Sequence, residues 1–397
     1  MKVLHIASQV TGGAGAAMIR LHQGLLAEGV NSQVLVQKLD RRRQGVVECE
    51  YNHGKPYAKR IFEKLKFSTP LRSRQNAILN RFSRNYEMFS FPNTDYNLIN
   101  HPLVKSADIL HLHWVSGFVD LSLIERTDKP IFWTCHDMNP FLGGLHYDID
   151  EDRLDPGLLK EEFEIRKMKR NIFSRKNIKW IFPSNWMKSQ AVKRGLDLNE
   201  NFKVIPYGID SDSFYPVEKE ISRKALNLPV DATLLMVVAE SLINYRKGMD
   251  LLMDIINDLP EGVKILAVGD DSPDHKKIIG VGRITDERLM SIIYSASDII
   301  LLPSRSDNLP NVVLEALACN RPVIAFKHGG MSEILEKENN GWIVENVNSE
   351  DLFQTIIKAI ETLEPPQFLG RQYVMSELNL RNQAIKVKQF YHCPTVS

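Results

Sequence analysis

The sequence predicts an α/β protein built from two doubly wound domains, each a parallel sheet covered by helices. Three observations carry this. The N-terminus reads as a strand (VLHIAS), a Gly-rich loop (TGGAGA), a helix (Ala16–Glu28) and a second strand, QVLVQ. The same order returns at residue 233, with TLLMVVA, the loop ESLINYRKG, a helix over Met249–Leu259 and the strand VKILAVG. The strand runs are apolar throughout rather than alternating, as in sheets buried on both faces. Strand–helix–strand units of this length imply parallel pairing with right-handed crossovers.

The remaining elements fall in the same rhythm. DILHLHW, PIFWTCHD, KWIFPS and FKVIPYG are further strands of the first half, and SDIILLPS, RPVIAF and GWIVE are strands of the second. IDSDSFYPVEKE is polar, holds a proline and reads as a linker. An N-terminal domain is therefore expected over residues 1–212, with an insertion at 41–90, and a second domain over 213–375. The terminal segment, 376–397, carries a helix over Ser376–Tyr391 that crosses back to the first domain. A chain of 397 residues is long enough for two such domains.

Composition narrows the class. With 43% apolar and 25% charged residues the chain reads as soluble and globular. No apolar run approaches the roughly 18 residues a membrane span needs. MKVLHIASQV reads as strand and loop and lacks the layout of a secretory signal. Cys49, Cys135, Cys319 and Cys393 are scattered without C-x-x-C spacing and are expected as free thiols in a reducing cytoplasm. The net charge of +1 conceals an asymmetry: residues 53–86 hold nine Lys/Arg and one acid, and residues 160–180 hold eight Lys/Arg and three Glu. Such clusters are either solvated helix faces or surfaces for phosphate, on a nucleic acid or an anionic membrane. No nucleic-acid-binding motif accompanies them.

In open α/β sheets, ligands bind beyond the carboxyl ends of the strands, so the post-strand loops are the informative places. Gly12, Gly13 and Gly15 would let an anion approach the backbone and a helix N-terminus. They do not form a dinucleotide fingerprint, because Met18 holds the third Gly position and no acid follows the second strand. Arg246 and Lys247 stand at a helix start, where cations are unfavourable unless an anion joins them. His136 follows the central strand PIFWTC and opens a polar loop with Asp137, Asn139 and His146. His111 and His113 share one strand face. None of these histidines has zinc-ligand spacing, so no metal is expected. In SDNLPNVVLEALACN, Asp307 precedes a helix whose exposed amides suit phosphate, and Glu315 is the one carboxylate in an apolar run. Carboxylates accept from sugar hydroxyls while amides take phosphate oxygens.

These residues carry a resemblance. PSRSDNLPNVVLEALACNRPVIAF, with IPYGID, RKG, VGRITDERLMSIIYSASDIILLPS and HGGMSEI, is similar to the retaining glycosyltransferases of family 4, of the GT-B fold. WTCHDMNPFLGG with DNLPN resembles the members that build bacterial exopolysaccharides. The resemblance implies two Rossmann-like domains facing a cleft and a nucleoside-diphosphate hexose, UDP- or GDP-linked, as donor, with no cofactor. It implies that Glu315 binds the ribose. Asp307, with the amides of Leu309, Asn311 and Val312, would meet the sugar and phosphates. Lys247, beside Arg246 and helped by the Gly13 amide, would hold the diphosphate. Arg283 and Ile284 would meet the base, and His136 the reacting sugar centre. The acceptor would be a saccharide, lipid-linked, reached through an anionic membrane surface by residues 53–86, with no nucleic acid involved. Two departures stand out: Asp307 replaces the family's first Glu, and no Arg occurs near Ser241. A non-catalytic sugar-nucleotide binder and a nucleotide-sugar epimerase of the same fold are the rival readings.

Overall fold

The computed structural model describes residues 1–50, 70–81, 87–198, 201–337, 340–363 and 370–393. The chain divides into two compact units, Met1–Ile205 together with the chain from Ala384, and Pro206–Gln383. Nearly half of the insertion named above, including its Phe- and Lys-bearing part at 55–67, lies outside the described residues. No helix among those described is long and apolar enough to cross a membrane.

The first unit holds a seven-stranded parallel sheet, ordered β3-β2-β1-β4-β5-β6-β7. Its strands are β1 (Lys2–Gln9), β2 (Asn31–Lys38), β3 (Val46–Glu48), β4 (Ile109–Leu112), β5 (Ile131–Thr134), β6 (Ile178–Phe182) and β7 (Phe202–Val204). The second unit holds a six-stranded parallel sheet, ordered β10-β9-β8-β11-β12-β13. These strands are β8 (Thr233–Ser241), β9 (Val263–Asp270), β10 (Ile278–Gly282), β11 (Ile299–Leu302), β12 (Val323–Phe326) and β13 (Gly341–Val344). β4, β5, β6, β11 and β12 are buried at every position, which is why their sequences are unbroken apolar runs.

Both sheets reverse their winding beside the first strand of the unit, between β1 and β4 and between β8 and β11. These switch points leave a crevice at the carboxyl ends of the strands. The loops that carry the candidate residues leave from there.

Four details depart from the sequence expectation. The Gly-rich stretch is not a loop: the helix already begins at Gly12 and runs to Ala27. The helix from Met249 stops at Ile255, short of Leu259. The short edge strands β3 and β10 were not foreseen, because VVE and IIGVG are only three and five residues long and lie half exposed at the sheet edges. The terminal helix is two helices, Gly370–Glu377 and Leu380–Tyr391. The break falls where the Leu378 carbonyl accepts from the Ile209 amide at 2.8 Å, so the chain between the two helices pairs with Ile209.

The second of these helices carries Ala384, Val387, Phe390 and Tyr391 into the first unit's core, against Val3, Leu21, Leu25 and Phe132. Phe132 meets Phe390 and Tyr391 edge-on, with ring centroids 5.3 and 4.8 Å away. Edge-to-face pairs of this kind add to the area they bury.

Candidate functional site

In the second unit the loops after β8 and β11 meet. Lys247 Nζ lies 2.6 Å from Asp307 Oδ2, and Arg246 Nη1 lies 3.4 Å from the same oxygen. Asp307 Oδ1 accepts from the Asn308 amide at 3.1 Å. Burial alone would raise the Asp307 carboxyl, but the charges of Lys247 and then Arg246 outweigh it and hold it below the usual carboxylate range.

Two glycines make this junction possible. Gly248 has φ +70°, and a Cβ there would sit 1.8 Å from the Pro303 carbonyl oxygen, so only glycine lets the two loops touch. Gly329, from the HGG run, has φ +100°, and a Cβ there would lie 2.1 Å from the Asp307 carbonyl oxygen. The Gly330 amide donates to Asn308 O at 2.6 Å and completes the brace. Arg246 Nη1 also donates to Ser306 O at 2.9 Å, which anchors the cation pair to the Asp307 loop.

The helix Asn311–Ala318 follows, capped by Pro310 without a side-chain bond. Asp307 therefore serves as partner of the two cations and not as a helix cap. Leu309 and Asn311 are buried, and Val312 is half-buried. Glu315 is buried on this helix and accepts from Tyr294 Oη at 2.8 Å through Oε2. Arg283 makes its ion pairs elsewhere, with Glu240 at 2.8 Å and Asp270 at 3.6 Å, at the ends of β8 and β9. Ile284 beside it is half-buried.

In the first unit Gly13 lies exposed in the first turn of the helix after β1. His136 follows β5 and belongs to a hydrogen-bonded file of imidazoles. His136 Nε2 and His113 Nδ1 are 2.9 Å apart, as are His113 Nε2 and His5 Nδ1. His111, beside them, bonds Tyr391 Oη at 2.6 Å and Thr134 Oγ1 at 2.8 Å. His5 and His111 are opposite each other in the β1–β4 register.

Burial pulls all four rings down: His136 to about 4 against the raising effect of Asp137, His111 to about 3, and His5 and His113 well below their ordinary value. They stand neutral at physiological pH. His5, His111 and His113 bring ligand atoms within 4.8 Å of one another, a spacing that suits a metal. Their nitrogens are nevertheless taken by one another and by Thr134, Tyr391 and His136, apart from His5 Nε2, which is buried without a partner.

The loop after His136 is held from beneath. Glu162, on the helix Pro156–Phe173, accepts from the amides of Gly143, Gly144 and Leu145 at 2.6, 2.6 and 3.0 Å, and from Arg166 at 2.7 Å. Lys169 donates to the carbonyls of Asn139 and Gly143 at 2.6 and 2.5 Å, and burial draws its ammonium down to about 8 despite Glu162 and Asp137. Part of the basic run at 160–180 is therefore structural. Arg166 and Lys169 face the loop and not a phosphate surface.

Asp137 Oδ2 bonds His146 Nδ1 and accepts from Trp114 Nε1 at 2.9 Å. His146 and then the Asn139 amide hold its carboxyl below the usual range, although burial alone would raise it.

The sequence reading missed His5, Tyr294 and Glu162. His5 and Tyr294 carried a signal, a polar side chain inside an apolar run, which needs a partner once buried, whereas Glu162 sits in the charged run KEEFEIRK and carried none.

The pattern of two parallel units with these loops is matched by known proteins. A family model described as Glycosyltransferase Family 4 matches residues 11–213, half of the chain. The chain belongs to glycosyltransferase family 4. A second family model, described as Glycosyl transferases group 1, matches residues 233–362 of this family 4 chain and so spans the Lys247, Asp307 and Glu315 loops. D-inositol 3-phosphate glycosyltransferase of Xylanimonas cellulosilytica is 25% identical to it over 262 residues, 60% of this chain and 60% of that protein. Among solved structures, sucrose-phosphate synthase of Thermosynechococcus elongatus superposes with a TM-score of 0.70 at 19% identity, covering 98% of both chains. Anabaena HepE, solved with UDP and glucose, does so with a TM-score of 0.65 at 16% identity, covering 99% of this chain and 100% of its own. At such identities the likeness is one of fold: the family 4 chain has the GT-B fold.

Proposed function

We propose that the chain moves a hexose, with retention of configuration, from a nucleoside-diphosphate sugar to a saccharide acceptor in bacterial exopolysaccharide synthesis. The observation that carries this is the Lys247–Asp307–Arg246 junction at the β8/β11 switch point, one residue triplet offering both cation and carboxylate. Asp307 balances Lys247. An arriving diphosphate offers Lys247 and Arg246 a second anion, and the sugar hydroxyls offer Asp307 a donor. Asp307 thus stays charged and turns from counter-ion to hydroxyl acceptor.

As the glycosidic bond breaks, charge grows on the departing diphosphate. Fixed cations stabilise that growth without reorganisation. The sugar becomes oxocarbenium-like, the acceptor attacks from the leaving-group face, and the phosphate takes the acceptor's proton. Neutral His136 is assigned to the reacting sugar as a hydrogen-bonding group, since an imidazole held to about 4 carries no charge at neutral pH. The structure of Anabaena HepE with UDP and glucose supports UDP-hexoses as first donors to try.

Slow hydrolysis of a panel of UDP- and GDP-hexoses tests this. One donor is expected to turn over, unaffected by EDTA. Lys247→Ala should raise KM and lower kcat together, and His136→Ala should lower mainly kcat. Affinity without turnover would mark a non-catalytic binder, and free epimerised sugar nucleotide an epimerase. Activity lost to EDTA and restored by Mg²⁺ or Mn²⁺ would overturn metal independence.

The acceptor is proposed to ride on a lipid, which places the chain at the inner face of the plasma membrane. Residues 53–86, with nine Lys/Arg among Phe and Leu, support this. Cations near an anionic surface contribute about 1 kcal/mol each. Flotation with anionic vesicles should show weak, salt-sensitive binding that vanishes when Lys59, Arg60, Lys64 and Lys66 are changed to Glu. Binding that survives the charge reversal, or none at low salt, points to a soluble acceptor.

A further inference from the structure

The imidazole file that ends at His136 has a direction. His5 Nδ1 lies 2.9 Å from His113 Nε2, and His113 Nδ1 lies 2.9 Å from His136 Nε2, so each contact joins the Nδ1 of one ring to the Nε2 of the next. A neutral imidazole has one N–H and one lone pair, on different nitrogens. His113 stands between two rings and must therefore donate to one and accept from the other. Both bonds of the file then point the same way, and the proton position at one end fixes that at the other.

The rings are neutral, because burial draws all three below their ordinary value. They are also held in place. His5 lies in β1. The His113 amide donates to Ile6 O at 3.0 Å, and the His113 carbonyl accepts from Trp133 Nε1 at 3.1 Å. The His136 amide donates to Thr134 O at 3.1 Å. His111 packs on His113, with ring centroids 4.2 Å apart and planes tilted by 33°. Its own nitrogens bond Tyr391 and Thr134, so it shields the file without joining it.

Two arrangements satisfy both bonds. With the protons on Nε2, His136 donates to His113, His113 donates to His5, and the proton of His5 rests on its own Nε2. That nitrogen is buried and has no hydrogen-bond partner among the described residues, so an N–H is stranded there. With the protons on Nδ1, His5 donates to His113, His113 donates to His136, and only a lone pair is left at His5 Nε2. Folded chains tolerate an under-used buried acceptor more readily than an orphaned buried N–H. The second arrangement therefore wins. Asp137, next in the chain, is no partner of the file: its oxygens bond His146, Trp114 and the Asn139 amide.

We infer that His113 is a positioning residue that fixes His136 as the Nδ1–H tautomer, with the direction set by the blind end of the file at His5. This rests on the proposed function and deepens it. The Nε2 lone pair of His136 is spent on His113, so His136 offers the transferred sugar an N–H and not a base. It can hold an oxygen of the sugar while the acceptor's proton goes to the phosphate.

Long-range ¹H–¹⁵N correlation spectra of the histidine-labelled chain at neutral pH show which nitrogen of each ring is protonated, and the His136 signals are those missing in His136→Ala. The parent chain should show His136 protonated on Nδ1. His113→Leu removes the donor to Nε2, so His136 should become a mixture of tautomers, and kcat for donor hydrolysis should fall about tenfold, the order of one hydrogen bond, with KM near that of the parent. His113→Gln keeps one donor and one acceptor between the outer rings and should restore both the Nδ1–H form and most of kcat. Protonation on Nε2 in the parent, a parent already mixed between tautomers, unchanged kcat in His113→Leu, or a His113→Gln variant as slow as His113→Leu would each overturn the inference. The spectrum of the parent needs no sugar nucleotide: absent donor hydrolysis would sink the proposed function, while the tautomer is still decided.

Discussion

Glu315→Ala is expected to weaken binding of the nucleotide sugar on the order of 100-fold, because a charged acceptor holding hydroxyls in a buried site contributes a few kcal/mol. The variant also removes the acceptor of the buried Tyr294 hydroxyl, 2.8 Å away. Loss of that hydrogen bond costs about 1 kcal/mol of stability, so the two effects need separation. Tyr294→Phe removes the internal bond and keeps the carboxylate. Glu315→Gln keeps an oxygen for Tyr294 and loses the charge. Calorimetry should show donor affinity nearly intact in Tyr294→Phe, reduced in Glu315→Gln and most reduced in Glu315→Ala. An unchanged dissociation constant in folded Glu315→Ala removes this residue from the donor site.

The second large effect is on stability. His5, His111, His113 and His136 are neutral when folded because burial depresses their pKa values, to about 3 for His111 and about 4 for His136. In the unfolded chain each titrates near its ordinary value, about 6.5. Below that pH the unfolded state binds protons that the folded state refuses, so stability falls as pH falls. The loss begins near 6.5 and continues down to about 4 for His136 and about 3 for His111. Each group loses about 1.4 kcal/mol per pH unit. At pH 5.5 four such groups remove roughly 6 kcal/mol, comparable to the whole stability of many domains.

The first unit should therefore unfold near pH 5 to 5.5, before carboxylates such as Glu162 begin to protonate. Trp114, Trp133, Trp180 and Trp186 all lie in that unit, so denaturation followed by Trp fluorescence between pH 7.5 and 5.5 reads it. His5→Leu should reduce the slope by about one proton. A flat profile over this range would mean that the imidazoles take up protons in the folded state and that the file is open to water.

Much of this molecule was legible in the sequence. Apolar runs such as DILHLHW and SDIILLPS mark strands covered on both faces, and helices between them force parallel pairing, so two doubly wound sheets followed from periodicity alone. Sheet topology then points to the post-strand loops, which is why Lys247, Asp307 and His136 could be named before any contact was known. Local pattern records whether a residue is buried but not what it meets. Lys247 and Asp307 are 60 positions apart, and their union depends on Gly248 and Gly329 letting loops close that share no sequence signal. The imidazole file joins His5 to residues more than 100 positions away, and only the β1–β4 register, set by packing of the whole unit, puts His5 opposite His111. The same holds for Lys169. Its charge was plain in the sequence, but that the helix turns it inward onto the Asn139 and Gly143 carbonyls was decided by how that helix packs, because solvation and burial of a cation look alike until its partners are in place.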